Sequence, residues 1–127
     1  MFTEQNYLSD WLKGELESPK DFCREAITVL AGEELRTGAV LGTITATGKY
    51  VAYDPDATDG SQTAVGILIT RSVPGDTSVD EEAVALVRGP AVIIEAGLTW
   101  LASVEAGDKT TALAALAVLG IRTRESA

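Results

Sequence analysis

The chain contains no histidine and only one cysteine among its 127 residues. Without an imidazole, Ser-His and Cys-His nucleophilic pairs cannot be assembled, and the usual zinc ligand sets are absent. Cys23 has no partner for an internal disulfide. Its neighbours Phe22, Ala26 and Ile27 mark it as a small buried hydrophobe, which suits a reducing compartment. Positive charge is also scarce: 10 Lys and Arg stand against 19 Asp and Glu, a formal net charge of −9. The basic residues come one at a time along the chain, so no patch gathers to displace counterions from a nucleic acid or to hold an anionic membrane. Neither partner is expected. Long apolar runs are missing as well. The longest, residues 112–121, is about half of what spans a bilayer, and the N-terminus shows neither the basic flank nor the apolar core of a secretory signal, so a soluble protein is expected.

Chemical motifs are equally sparse. No GxGxxG leads from a strand into a helix and no GxxxxGK[ST] is present, which removes the support for nucleotide folds. The segment DPDATDG, residues 54–60, begins like a calcium loop, but counted from Asp54 the third acid, Asp59, falls at position 6, the glycine at 7, and position 12 is Val65. An Asp-Pro turn with Asx-type hydrogen bonds is expected instead. Glu33-Glu34 and Glu81-Glu82 read as solvated loop carboxylates. A distant carboxylate pair in the style of glycoside hydrolysis would need a cleft and its walls from one small sheet. The chain is therefore expected to be no enzyme and to need no cofactor or metal.

What is present is strand and turn chemistry. Hydrophobic residues make up 46% of the chain, enough to bury the core of one small domain. In residues 36–70, Val40, Leu41, Ile44, Tyr50, Val51, Tyr53, Val65, Ile67 and Ile69 supply strand formers between regularly placed glycines, predicting two hairpin halves around one acidic turn. Further strands are expected in FCREAITVL (22–30), in AVALVRGPAVII (83–94, interrupted by Gly89-Pro90) and in GIRTR (120–124). The run DKTTALAALAVLG, residues 108–120, predicts a helix capped by Asp108 and ended by Gly120, with Leu113, Leu116 and Ala117 on its buried face. Apolar faces in residues 91–94, 98–101 and 113–119 are expected to bury one another within or between subunits.

Residues 1–21 differ from the rest. They carry Glu4, Asp10, Glu15, Glu17 and Asp21, a Gly14 break and a Ser18-Pro19 turn signal, and they read as an N-terminal arm preceding a β-rich domain over residues 22–127. Tyr7, Leu8, Trp11 and Leu12 fall at helical spacing, so a short amphipathic turn, docked on a second surface or on the chain's own body, is one geometry; an extended strand is the other.

The ordered set of a Tyr7-Leu8 arm, REAITVLAGEELRTGAVLG (24–42), TGKYVAYDPDATDGSQTAVGIL (47–68), VRGPAVI (87–93) and the alanine-rich segment ending LGI (119–121) resembles the bacteriophage head decoration proteins of the lambda type, over about residues 7 to 122. The resemblance implies a mainly β, β-clip-like small domain with a few short helices. It also implies a homotrimer that sits outside an expanded capsid at threefold and quasi-threefold positions, binds the major capsid protein and holds the shell against DNA pressure. The protein would then be made in the host cytoplasm and carried on the virion's outer surface. Within that reading Tyr7, Leu8, Trp11 and Leu12 are the capsid-binding residues. The lambda protein's arm is composed differently. A β-rich carbohydrate-binding or tail-associated assembly module is the alternative, and it would need exposed rings on the body, where Tyr50, Tyr53 and Trp100 are available.

Overall fold

The computed structural model describes residues 12–15, 23–70, 72–73, 79–94, 97–101 and 104–124. Five strands form a closed barrel: β2 (Arg24–Val29), β4 (Val40–Thr43), β5 (Tyr50–Ala52), β6 (Gly66–Leu68) and β8 (Glu81–Leu86), in the order β2-β5-β4-β6-β8. Three further strands, β1 (Leu12–Glu15), β9 (Ala91–Ile94) and β10 (Ile121–Arg124), make a separate sheet in the order β1-β9-β10. A two-residue ribbon joins β3 (Leu35–Arg36) to β7 (Ser72–Val73), and one helix, α1 (Ala106–Val118), completes the described elements. The protein is mainly β, a small single domain.

Strand alternation explains the two cores. Neighbouring residues of a strand point to opposite faces. In the barrel, Val29, Leu41, Leu68 and Ala85 turn one way, into a cluster to which all five strands contribute. Val40, Ile67 and Leu86 turn the other way, against Ile93 of β9, Leu116 of α1 and Ile121 of β10. β4, β5 and β6 lie between the two clusters and are buried on both faces, so their sequences read as short apolar runs, whereas β2 and β8 alternate buried and exposed residues.

The barrel is sealed unevenly. β2 runs antiparallel to β8 over six residue pairs, from Arg24↔Leu86 to Val29↔Glu81, whereas its other edge meets β5 in parallel through the single pair Val29↔Tyr50. Side chains finish what the ladder leaves open there. The Glu33 carboxylate accepts the Ala52 N–H at 2.9 Å, and Asp80 accepts the Ala31 N–H at 3.0 Å while pairing with the Lys49 ammonium at 2.7 Å. Those bonds to lysine and backbone hold the Asp80 carboxyl below its ordinary range. Glu33 is thus a seam group, half-buried, rather than the solvated turn residue its neighbours suggest; Glu81 and Glu82 likewise sit on β8, not in a loop end.

The N-cap of α1 lies three residues before the expected one. Glu105 takes the N-cap position, and Asp108, at N3, accepts the Glu105 N–H at 3.1 Å, so Asp108 closes the reciprocal arrangement instead of opening the helix. The buried face is Ala112 and Leu116 with Leu113 and Ala115 beside them; Ala117 is exposed. Gly120, at φ 92°, stops the helix in the left-handed region, and the chain turns directly into β10. Because α1 forms the crossover, β10 lies parallel to β9. The expected strand over residues 83–94 is two strands in two different sheets, divided at Gly89-Pro90. Cys23 is fully buried, its thiol directed at the Pro90 carbonyl at 3.6 Å.

Candidate functional site

The expected docking residues meet the described structure at one point, Leu12. It opens β1, which pairs antiparallel with β9 through Leu12↔Ile93, Gly14↔Val92 and Glu15↔Ala91, with a register shift between Leu12 and Gly14. Leu12 and its strand are extended, which replaces the helical turn at this end of the arm. Its side chain is half-buried against the cluster built on Ile93, Leu116 and Ile121. Tyr7, Leu8 and Trp11 lie outside the described residues.

β1 is an edge strand. β9 occupies one side of it, and among the described residues no strand covers the other. β1 begins at Leu12 opposite Ile93, near the Ile94 end of β9, from which the polypeptide runs on to residues 97–101.

Those residues form the wall of an open groove of about 350 Å3. Its floor is Ala39, Val40 and Ala52, all buried; Leu35 and Arg36 of β3 line one side, and Thr99, Trp100 and Leu101 line the other. Backbone bonds from Val40 N–H to Thr99 O (3.3 Å) and from Thr99 N–H to Gly38 O (2.9 Å) hold the wall to the floor. Trp100 is set by two contacts. Its ring meets Tyr53 edge-on, with centroids 6.3 Å apart and planes at 75°, and the Lys109 ammonium stands 5.7 Å from its centroid. Tyr53 is itself buried and donates its hydroxyl to the Asp108 carbonyl at 3.3 Å; burial, reinforced by the Asp108 and Asp54 charges, pushes its pKa up. Of the three rings available for a sugar platform, Tyr53 is therefore core, Tyr50 is half-buried with its pKa raised mainly by burial, and Trp100 already has a cation against its ring.

The acidic turn is built for local order. Asp54 Oδ1 accepts the Asp56 N–H at 3.0 Å, and Asp59 Oδ1 accepts both the N–H (3.1 Å) and the hydroxyl (2.6 Å) of Ser61, the Asx pattern expected of this segment. The Ser61 bonds lower the Asp59 pKa. Among the described residues no cluster of three or more His, Cys, Asp or Glu side chains is arranged to hold a metal, and no helix is long and apolar enough to cross a membrane.

The groove is the feature that sequence reasoning did not find. Its residues come from three separate stretches, 34–40, 52 and 99–101, and the only local sign was a tryptophan beside a leucine after a glycine. Compared with known families, the chain matches the family model described as bacteriophage lambda head decoration protein D over residues 1–121 of its 127. No curated protein matches it.

Proposed function

The chain belongs to the bacteriophage lambda head decoration protein D family and is a structural, capsid-associated protein of the virion; on that premise we propose that it is a homotrimer that binds the major capsid protein of the expanded shell, at threefold and quasi-threefold positions, through its N-terminal arm. The observation that carries the arm's role is the exit of the chain from an edge strand, β1, rooted in the core by Leu12. An edge strand is a start point for further backbone pairing, so residues ahead of Leu12 extend naturally as a strand onto an exposed shell strand. Residues 1–11 reach about 36 Å at about 3.3 Å per residue, enough to leave one trimer and cross a neighbouring capsid subunit. Tyr7 and Leu8 fill apolar pockets along that path, and Trp11, next to Leu12 on the body, anchors the arm in a shell pocket where it leaves the trimer.

Trimerisation makes moderate arms sufficient, because once one is seated the other two bind at high effective concentration. Binding only the expanded state stabilises it by mass action against the pressure of packaged DNA. The excess of acidic residues faces outward, keeps particles apart and makes no contact with nucleic acid or membrane. A chain with one buried thiol and no disulfide is suited to synthesis in the host cytoplasm.

The test is co-sedimentation with purified expanded and unexpanded shells, using the full chain, a variant lacking residues 1–11, and Trp11→Ala. The full chain is expected on expanded shells alone. The truncation should lose binding while keeping its circular dichroism, and Trp11→Ala should weaken binding by on the order of 2 kcal/mol per arm. Equal decoration by the truncated and full chains would place the contact on the body and refute the reading.

A further inference from the structure

We propose that the β2–β5 seam of the barrel is a latch: one carboxylate, Asp80, ties together the three chain ends that meet there, and its release opens the loop over residues 30–34 while the β2–β8 ladder stays shut. Strand register puts the carboxylate in that position. β2 ends at Val29, which lies opposite Glu81 at the start of β8 on one side and opposite Tyr50 at the start of β5 on the other. Just beyond those ends, Asp80 Oδ1 accepts the Ala31 N–H at 3.0 Å and Oδ2 meets the Lys49 ammonium at 2.7 Å. One side chain thus joins the segments that lead out of β2, into β5 and into β8.

The seam is short on the β5 side. Past its single residue pair it carries the Leu30 N–H donated to Tyr50 O at 3.0 Å and the Ala52 N–H donated to the Glu33 carboxylate at 2.9 Å. Each of these bonds takes one partner from residues 30–34, so both depend on where the loop stands. The loop has room to swing: Gly32 is exposed, and a Cβ there would meet nothing within 4 Å. Its far end is fixed, because Leu35 and Arg36 pair with Val73 and Ser72, and the Gly38 N–H donates to Leu68 O at 2.9 Å. The loop therefore hinges at β3. Glu34, Leu35 and Arg36 line the groove whose floor includes Ala52, so the bond from Ala52 to Glu33 also ties that wall to the floor, and opening the latch releases it.

Loss of charge in acid is the trigger. Lys49 and the Ala31 N–H stabilise the Asp80 anion and lower its pKa from the ordinary 3.8, so the latch is complete above that value and fails as pH falls through the folded one. The other charged side chains on the segments it joins are Glu33 and Glu34 in the loop and Glu81 and Glu82 on β8, while the Tyr50 hydroxyl feels Glu25 and Arg88. Substitution at Asp80 separates its titration from theirs.

Amide hydrogen exchange on the full chain reads the latch directly, and none of it depends on the shell-binding reading. Leu30 and Ala52 report the seam; Val87, which donates to Cys23 O at 2.9 Å, reports the other end of the β2–β8 side, and Ala91, which donates to Gly120 O at 3.2 Å, reports the three-stranded sheet. At neutral pH, Asp80→Ala should lower the protection of Leu30 and Ala52 by about tenfold or more, as loss of a charge-assisted bond requires, and leave Val87 and Ala91 unchanged. In the unsubstituted chain the same two amides should lose protection ahead of the others as pH falls from about 5 to about 3, a step that Asp80→Ala should remove at Leu30. Protection lost equally at all four amides would mean that the molecule opens as a whole and would overturn the proposal. So would unchanged protection at Leu30 and Ala52, or an acid step at Leu30 that survives Asp80→Ala. Should that variant fail to fold, the acid titration of the unsubstituted chain decides alone: loss confined to Leu30 and Ala52 supports the latch, and any other outcome overturns it.

Discussion

Two glycines hold the same backbone angle in different surroundings, and the contrast separates conformational cost from crowding. Gly32 has φ 90° and Gly120 φ 92°. A Cβ on Gly32 meets nothing within 4 Å, whereas one on Gly120 comes to 3.1 Å from Gly89 Cα and 3.2 Å from Gly89 N. Gly89 cannot easily retreat: its N–H donates to Leu119 O at 2.8 Å, and the Ala91 N–H donates to Gly120 O at 3.2 Å. Alanine in the left-handed region costs about 1–2 kcal/mol, so Gly32→Ala should lose about that much. Gly120→Ala carries the same cost and also strains two hydrogen bonds worth about 1 kcal/mol each, for a total of about 2–4 kcal/mol. The assay is equilibrium unfolding in urea at one protomer concentration, because an oligomer's apparent stability depends on it. The m-values should match. Equal losses at the two sites would show that the approach of Gly89 to Gly120 contributes nothing, and would refute the claim that this contact fixes β10, and through β9 the root of β1.

The helix offers a second contrast: Leu116→Ala, at a side chain with no exposure, should cost about 3–5 kcal/mol, while Val118→Ala, 86% exposed, should stay within about 0.5 kcal/mol by the same unfolding assay. For the seam, the folded-state pKa of Asp80 is lowered by Lys49 and the Ala31 N–H, so its contribution is complete above its ordinary value of 3.8 and is lost as pH falls through the folded value. Asp80→Asn should therefore flatten the fall of the urea midpoint below about pH 4; an acid limb identical to that of the unsubstituted protein would refute the linkage.

Local chemistry was legible where local chemistry decides. The alanine-rich helix, the break at Gly89-Pro90, the Asx turns at Asp54 and Asp59 and the burial of Cys23 all follow from residues within a few positions of one another. What was hidden depends on distant partners. Glu33 reads as a surface acid until Ala52, 19 residues away, presents an N–H that the one-pair seam leaves unbonded. Leu12 has the spacing of a helix and becomes a strand because the edge of β9 is open to it. Ala117 sits one position beyond the face that the crossover to β10 turns inward. The groove escaped for the same reason: no stretch of the chain contains more than one of its walls. The trio Tyr7, Leu8 and Trp11 remains a proposal resting on composition and on the point where β1 begins.

The pairing of β1 with β9 also has a mechanical meaning. Any pull on the chain ahead of Leu12 enters the body along the axis of β1, so the hydrogen bonds to β9 are loaded side by side in shear rather than peeled one after another. A strand held in shear must slip as a unit, and slipping would drag Leu12 out of its apolar seat. β9 in turn is clamped on its far side by β10 over four residue pairs, which spreads the load across the whole three-stranded sheet. A tension applied at the first residues would thus be resisted by the core instead of by a single loop, the behaviour of a rivet whose shank is sewn through the plate it fastens.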